Sequence, residues 1–174
     1  AANMATGQLP ENVGRAIMAA ADEILAGRLR DQFIVDVYQA GAGTSHNMNT
    51  NEVIANIANV ALGGKKGEYK PVHPNDHVNK GQSTNDTIPT AIRLAALAKL
   101  PRLLAAANGM ADEYETLARN ETNTVKSGRT HLQDAVPTTL GREFGAYAWI
   151  LRRCAHQLRA TIPLLCETGL GGSA

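Results

Sequence analysis

Three short polar stretches interrupt an otherwise alanine- and leucine-rich chain, and they hold most of the side chains suited to chemistry. "GAGTSHNMN" (residues 41–49) sets Thr44, Ser45, Asn47 and Asn49 beside the conformationally free Gly41 and Gly43. Hydroxyls and amides next to unpaired backbone N–H groups at a helix start form a site for a carboxylate or phosphate. The same residues also read as a turn with an N-cap. "QSTND" (82–86) offers Ser83, Thr84 and Asn85, whose hydroxyls, amide and first-turn N–H groups suit an anion or plain capping. "GRTHLQDAVP" (128–137) adds His131, which can donate to an anion or act as acid or base near neutral pH. Thr130 adjoins it, Asp134 lies near enough in sequence to orient a ring nitrogen, and a structural ion pair is expected for Arg129. A merely solvated loop histidine is the plainer alternative.

A fourth cluster, "VHPNDH" (72–77), groups His73, Asn75, Asp76 and His77. It lacks the third and fourth ligands of a familiar metal spacing, so it reads as a turn with an Asx cap and no metal is assigned. No loop pairs a nucleophile with its base. Recognition of a small anion is therefore favoured over covalent catalysis, and no cofactor is implied.

The elements that must hold these loops are mostly helices. From Pro10 and Glu11 to Gly27, Ile17, Ala20, Ala21, Ile24 and Leu25 recur with helical period. "DQFIVDVYQAGAG" alternates Phe33, Val35 and Val37 with Ile34, Asp36 and Tyr38, which predicts a short strand or extended segment. A helix capped by Asn49 or Thr50 then carries Val53, Ile54, Ile57, Val60 and Ala61 as far as Gly63-Gly64. The next begins at Ser83 or Asn85, with Pro89 tolerable only near its first turn. Pro101 is expected to open a separate helix, with Leu103, Leu104, Ala107, Met110, Tyr114 and Leu117 inward. A last helix from about Thr138 to Thr168 carries Leu140, Phe144, Tyr147, Ile150, Leu151 and Leu158 on one side, and Pro163 should kink it.

Composition agrees with this reading. Apolar residues make up 44% of the 174 but aromatics only 4%, which suits close helix packing better than a β-sandwich. A net charge of +1 gives no reason to expect nucleic acid or an acidic membrane surface as partner. No apolar run is long enough to span a bilayer. Cys154 and Cys166 cannot meet within one straight helix and are read as free thiols of a cytoplasmic protein, buried by default. The chain begins without an initiator methionine and stops at "ETGLGGSA", which reads as a fragment.

"GAGTSHNMNTNEVIAN", "VHPNDHVNKGQSTNDTIPT" and "GRTHLQDAVPTTLGREF" occur in the order and spacing of the aspartase/class II fumarase superfamily, which the chain resembles. The resemblance extends from about Asp22 to Ser173 and rests on three long segments. It implies a mainly α fold. Residues 1–82 would be part of an N-terminal lyase domain, the end of a small mixed domain, and residues 83–174 the first, truncated part of a central helical bundle. It implies a lyase that releases fumarate by elimination, with Thr44, Ser83, Thr84 and Asn85 as substrate contacts. Thr130 and His131 resemble the catalytic pair contributed by another subunit of a homotetramer built through the central helices. His73, Asn75 and Asp76, with Lys70 as a weaker match, resemble a second, peripheral dicarboxylate site. The family's base is a serine in a glycine-rich loop further downstream, so this stretch alone is expected to be inactive. Tyr38, "KKGEY" and Thr84 resemble the aspartase branch, which points to elimination of ammonia from L-aspartate. The alternatives are the fumarate hydratase branch and a non-catalytic, dicarboxylate-binding assembly module.

Overall fold

The computed structural model describes residues 1–39 and 43–172; Gly41, part of the first polar loop, lies outside them. These residues form two compact units, Ala1–Ala91 together with the stretch from Thr168 onward, and Ile92–Glu167. The fold is mainly helical, with one small two-stranded sheet.

In the first unit, α1 (Ala2–Ala5) precedes α2 (Glu11–Leu25), α3 (Thr44–Ala61) and the start of α4 (Thr84–Asn120). Val13 and Ala20 of α2 pack with Ala55 and Ala58 of α3 and with Val72 and Val78 from the connection that follows. The helical period expected for α2 is present, but its inward face runs through Val13, Gly14 and Ala20, and Leu25 is 82% exposed. The expected strand at Phe33–Tyr38 does not form. A short 3-10 turn occupies Arg30–Gln32, and the Asp36 carboxylate accepts from the Tyr38 N–H at 2.7 Å, starting a turn. Alternating apolar residues make a strand only beside a partner edge, and here Ile34, Val37 and Tyr38 stay exposed.

Helix α3 starts earlier than its capping signals predict. Gly43, with φ of 72°, is the N-cap, and Asn49 and Thr50 lie inside the helix. Asn49 donates to the Gln32 carbonyl at 3.0 Å and the Thr50 hydroxyl to the His46 carbonyl at 3.0 Å. Asparagine disfavours helix interiors because its amide competes for backbone partners. Along α3, Asn47, Asn51 and Asn59 instead find tertiary partners and are buried. Fully buried Asn59 accepts from the Val72 N–H at 2.6 Å and donates to the Val72 carbonyl at 3.0 Å. One side chain thus satisfies both backbone groups of a buried loop residue.

The second unit is a helix hairpin. α4 runs unbroken for 37 residues and contains both Pro89 and Pro101, so the helix boundary expected at Pro101 is absent. An interior proline forfeits one helical hydrogen bond, at a cost of ~3 kcal/mol. The face carrying Leu100 and Leu104 is held by Ala155 of α5 (Leu140–Ala160), which favours continuity over a break. Gly141, Ala148 and Ala155, seven residues apart, are the buried positions of α5. A Cβ at Gly141 would lie 2.5 Å from the Ala118 carbonyl oxygen, so the approach there requires glycine. Since Gly141 meets Ala118 and Ala155 meets Leu104, the two helices run antiparallel. Of the residues expected inward, Leu104 is buried, whereas Leu103, Met110, Tyr147 and Ile150 are about half exposed. After Ala160 the helix is interrupted at Thr161, and a single turn, α6 (Ile162–Leu165), carries Pro163, so the kink expected there is a break.

Arg152 ties the helix pair together, donating to Glu115 at 3.1 Å, to Asn108 at 3.1 Å and to Asp112. Glu115 first, then Asp112, hold its guanidinium above its already high pKa. Cys154 and Cys166 are unpaired as expected, but both are exposed, not buried. Among the described residues no helix is long and apolar enough to cross a membrane.

Candidate functional site

Two helix starts meet in the first unit. α3 begins at Thr44, directly after Gly43, and α4 at Thr84, directly after Ser83. A Cβ on Gly43 would approach Ile88 of α4 to 2.8 Å, so the absent side chain at residue 43 lets the two helix ends touch. Ser83 caps α4, its hydroxyl accepting from the Asn85 N–H at 3.2 Å. The first turns of both helices leave N–H groups without helical partners and add the positive ends of two dipoles. Thr44 and Asn85 are exposed, and Ser83 and Thr84 half-buried, around that junction. The arrangement offers donors to an anion from both helices. A cleft of about 330 Å³ lies beside it, bordered by Asn47, Asn51, Gln82 and Thr87. Neither Thr44 nor Ser83, Thr84 or Asn85 lines that cleft.

What fixes the two starts is a partly buried amide network that periodicity does not reveal. Asn47 donates to Asn79 Oδ1 at 3.1 Å and to Thr84 Oγ1 at 3.0 Å. Asn51, one turn further along α3, donates to the same Asn79 oxygen at 3.1 Å. Asn79 Nδ2 donates to the Gln82 carbonyl at 3.3 Å. The only sequence sign was the four-residue spacing of asparagines 47 and 51, which places both on one helix face.

The third polar stretch is not an irregular break. It forms a β-hairpin, β1 (Val125–Thr130) against β2 (Gln133–Thr139), in the second unit. His131 and Leu132 form the two-residue turn with φ of 51° and 63°. Primed turns demand this conformation and favour asparagine or glycine in it. For two ordinary side chains it is strained by about 1–2 kcal/mol each. A bulge between Ser127 and Arg129 surrounds Gly128, where a Cβ would meet the Val136 carbonyl oxygen at 2.8 Å. Lys126 pairs with Glu143 at 2.6 Å and anchors the ribbon to α5. Thr130 and His131 are exposed at the tip. Among the described residues Asp134 makes no hydrogen bond to His131. The ion pair expected for Arg129 is also absent, although Arg129 faces Asp134 across the ladder.

The "VHPND" segment folds as one π-helical turn, Pro74–Val78. Its cap is His73, not an Asx residue: Nδ1 accepts from the N–H groups of Asn75 at 3.2 Å and Asp76 at 3.1 Å. Those two bonds place the ring proton on Nε2. The 3.4 Å approach of Nδ1 to the Asp76 carboxylate is therefore not an ion pair in this state. Lys70, Asn75 and Asp76 are exposed and His73 half-buried. Among the described residues no group of three or more His, Cys, Asp or Glu is placed to hold a metal ion.

Residues 1–174 match the family model described as Lyase. Aspartate ammonia-lyase from Escherichia coli K12 is 49% identical over 99% of this chain and 36% of its own length. Fumarate hydratase class II from Ralstonia nicotianae is 46% identical over 100% of this chain and 38% of its own. A crystal structure of a fumarate lyase:delta crystallin from Brucella melitensis superposes with a TM-score of 0.87 at 50% identity, over 98% of this chain and 40% of that one. The chain thus spans little more than a third of the curated relatives it matches.

Proposed function

The chain belongs to this lyase family, in its aspartase/fumarase branch, and on that premise we propose that it forms part of an enzyme releasing fumarate from L-aspartate by elimination of ammonia. The observation that carries the reading is the junction of the α3 and α4 starts, with Thr44, Ser83, Thr84 and Asn85 around it. A dicarboxylate needs donors at both ends, and the reaction adds charge at one of them. Removing the proton beside a carboxylate turns that carboxylate into an aci-carboxylate dianion. The electron pair then forms the C=C bond as the C–N bond breaks and the nitrogen leaves with its pair. Preorganised donors at the dianion are where rate enhancement arises, each typically worth about 3 kcal/mol.

Thr130 and His131 complete the reading as a pair supplied by another subunit, with the base serine on a stretch outside these residues. Backbone strain at His131 supports a role for the hairpin tip, since strain persists where function maintains it. In the same reading residues 1–82 belong to the N-terminal domain and 83–174 to the central bundle. A homotetramer forms through the central helices, supported by their uncovered apolar faces. Lys70, His73, Asn75 and Asp76 form a second dicarboxylate site; with Nδ1 of His73 engaged as a cap, Nε2–H, the Lys70 ammonium and the Asn75 amide are its donors. Two unpaired cysteines suit a cytoplasmic setting.

The test is fumarate release by the full-length protein, followed by ultraviolet absorbance, with L-aspartate and L-malate supplied separately. Fumarate from aspartate alone is expected. Fumarate from malate alone replaces the reading with a fumarate hydratase, and silence with both leaves a non-catalytic dicarboxylate-binding module. His131→Asn keeps a residue that tolerates the left-handed turn but removes the imidazole. It should lower kcat by about a hundredfold while the hairpin persists.

A further inference from the structure

We infer that Asn47 is a positioning residue that sets the Thr84 hydroxyl as a donor to the substrate carboxylate, an inference that rests on the lyase reading above. The direction of the amide network carries it. The Gln82 carbonyl can only accept, so the Asn79 group facing it at 3.3 Å is the NH₂. Asn79 therefore turns its Oδ1 towards α3. There it accepts from Asn47 and Asn51, both at 3.1 Å. The Asn47 group at that contact must in turn be its own NH₂, whose second hydrogen goes to Thr84 Oγ1 at 3.0 Å. A hydroxyl that accepts from an amide keeps its proton for another acceptor. Thr84 lies at the first position of α4, among the unpaired N–H groups, where a carboxylate is the natural acceptor. The chain of orientation runs from a backbone carbonyl, through the half-buried Asn79 amide and the buried Asn47 amide, to one hydroxyl.

Burial makes the orientation durable. Asn47 is 8% exposed and Asn51 5%, so neither amide can turn over without leaving hydrogen-bonding groups unmatched away from water. The Thr87 hydroxyl, 3.4 Å from Asn47 Oδ1, sits on the acceptor side of the same amide.

A double-mutant cycle in the full-length protein tests this, with L-aspartate as substrate and circular dichroism to confirm folding. Asn47→Asp preserves shape but replaces the donor by an acceptor, which captures the Thr84 proton. Thr84→Val removes the hydroxyl. Each single change should raise KM by about tenfold, with a smaller change in kcat. In the Thr84→Val background, Asn47→Asp should add less than about twofold, because the hydroxyl it acts through is already gone. Two KM effects that multiply in the double variant would show a structural role and overturn the inference alone. Should Asn47→Asp not fold, Asn47→Ser carries the same cycle with the same two readings. No fumarate from the unaltered protein with either aspartate or malate would sink the lyase reading and this inference with it.

Discussion

The first unit and the helix hairpin of the second use similar alanine-rich sequence but bury it to different ends. In the first, Ala20, Ala55, Ala58, Val72 and Asn59 are essentially sealed from water around one core. In the second, Leu100, Leu104 and Ala155 form a narrow seam, while Ile92, Leu94, Trp149 and Ile150 stand more than half exposed. A single antiparallel helix pair can bury only one stripe of each helix, whereas three helices and a looped connection can enclose a volume. The polar groups divide in the same way. The first unit internalises asparagines as struts, and the second keeps its polar contacts at the periphery, as in the Arg152 clamp and the Lys126–Glu143 pair.

Breaking the first unit should produce the largest effect. Asn59→Ala strands the buried N–H and carbonyl of Val72, at about 1–3 kcal/mol for each unmatched group. Urea unfolding should show that loss, and hydrogen exchange should place it in residues 1–91 with the helix hairpin unaffected.

Gly141→Ala attacks the tightest point of the second unit, where the new methyl would press on the Ala118 carbonyl. Overpacking of that kind typically costs about 1–3 kcal/mol. Exchange protection should fall along α5 while the first unit keeps its own.

The exposed face invites the reverse experiment. Ile150→Lys should leave monomer stability within about 0.5 kcal/mol, as surface changes do. If the uncovered face is the assembly surface, the same change should shift the full-length protein to a smaller species in light scattering. An unaltered oligomer would place the assembly surface elsewhere.

The smallest effect belongs to Arg152→Gln. The raised pKa of Arg152 means its charge stabilises at all pH values below the ordinary guanidinium value and is lost only in strongly alkaline solution. Stability should therefore be insensitive to this residue's titration between about pH 6 and about pH 9. The stability difference between the unaltered protein and the Arg152→Gln variant should instead narrow as salt rises, since the pair is largely solvated.

Local chemistry was enough to determine the helical character, the three polar stretches, a cap at Ser83 or Asn85 and a disturbance of the last helix near Pro163, because each depends on residues a few positions apart. The family likeness followed from the order of those stretches. Other features depended on partners distant in sequence. The period of α3 omitted Asn51 and Asn59, which bury only because Asn79 and Val72 stand opposite. The apolar alternation at Phe33–Tyr38 signalled a strand that no neighbouring edge accepts, and Pro101 signalled a boundary that packing against Ala155 removes. The hairpin at 125–139 lacks the asparagine-glycine signature of its turn, because His131 and Leu132 hold the left-handed conformation against their own preference. Spacing placed Thr84 near a helix start but capped α3 at Asn49 or Thr50, beyond Thr44; the Gly43–Ile88 approach and the amide bridge of Asn47, both tertiary, bring the two actual starts together.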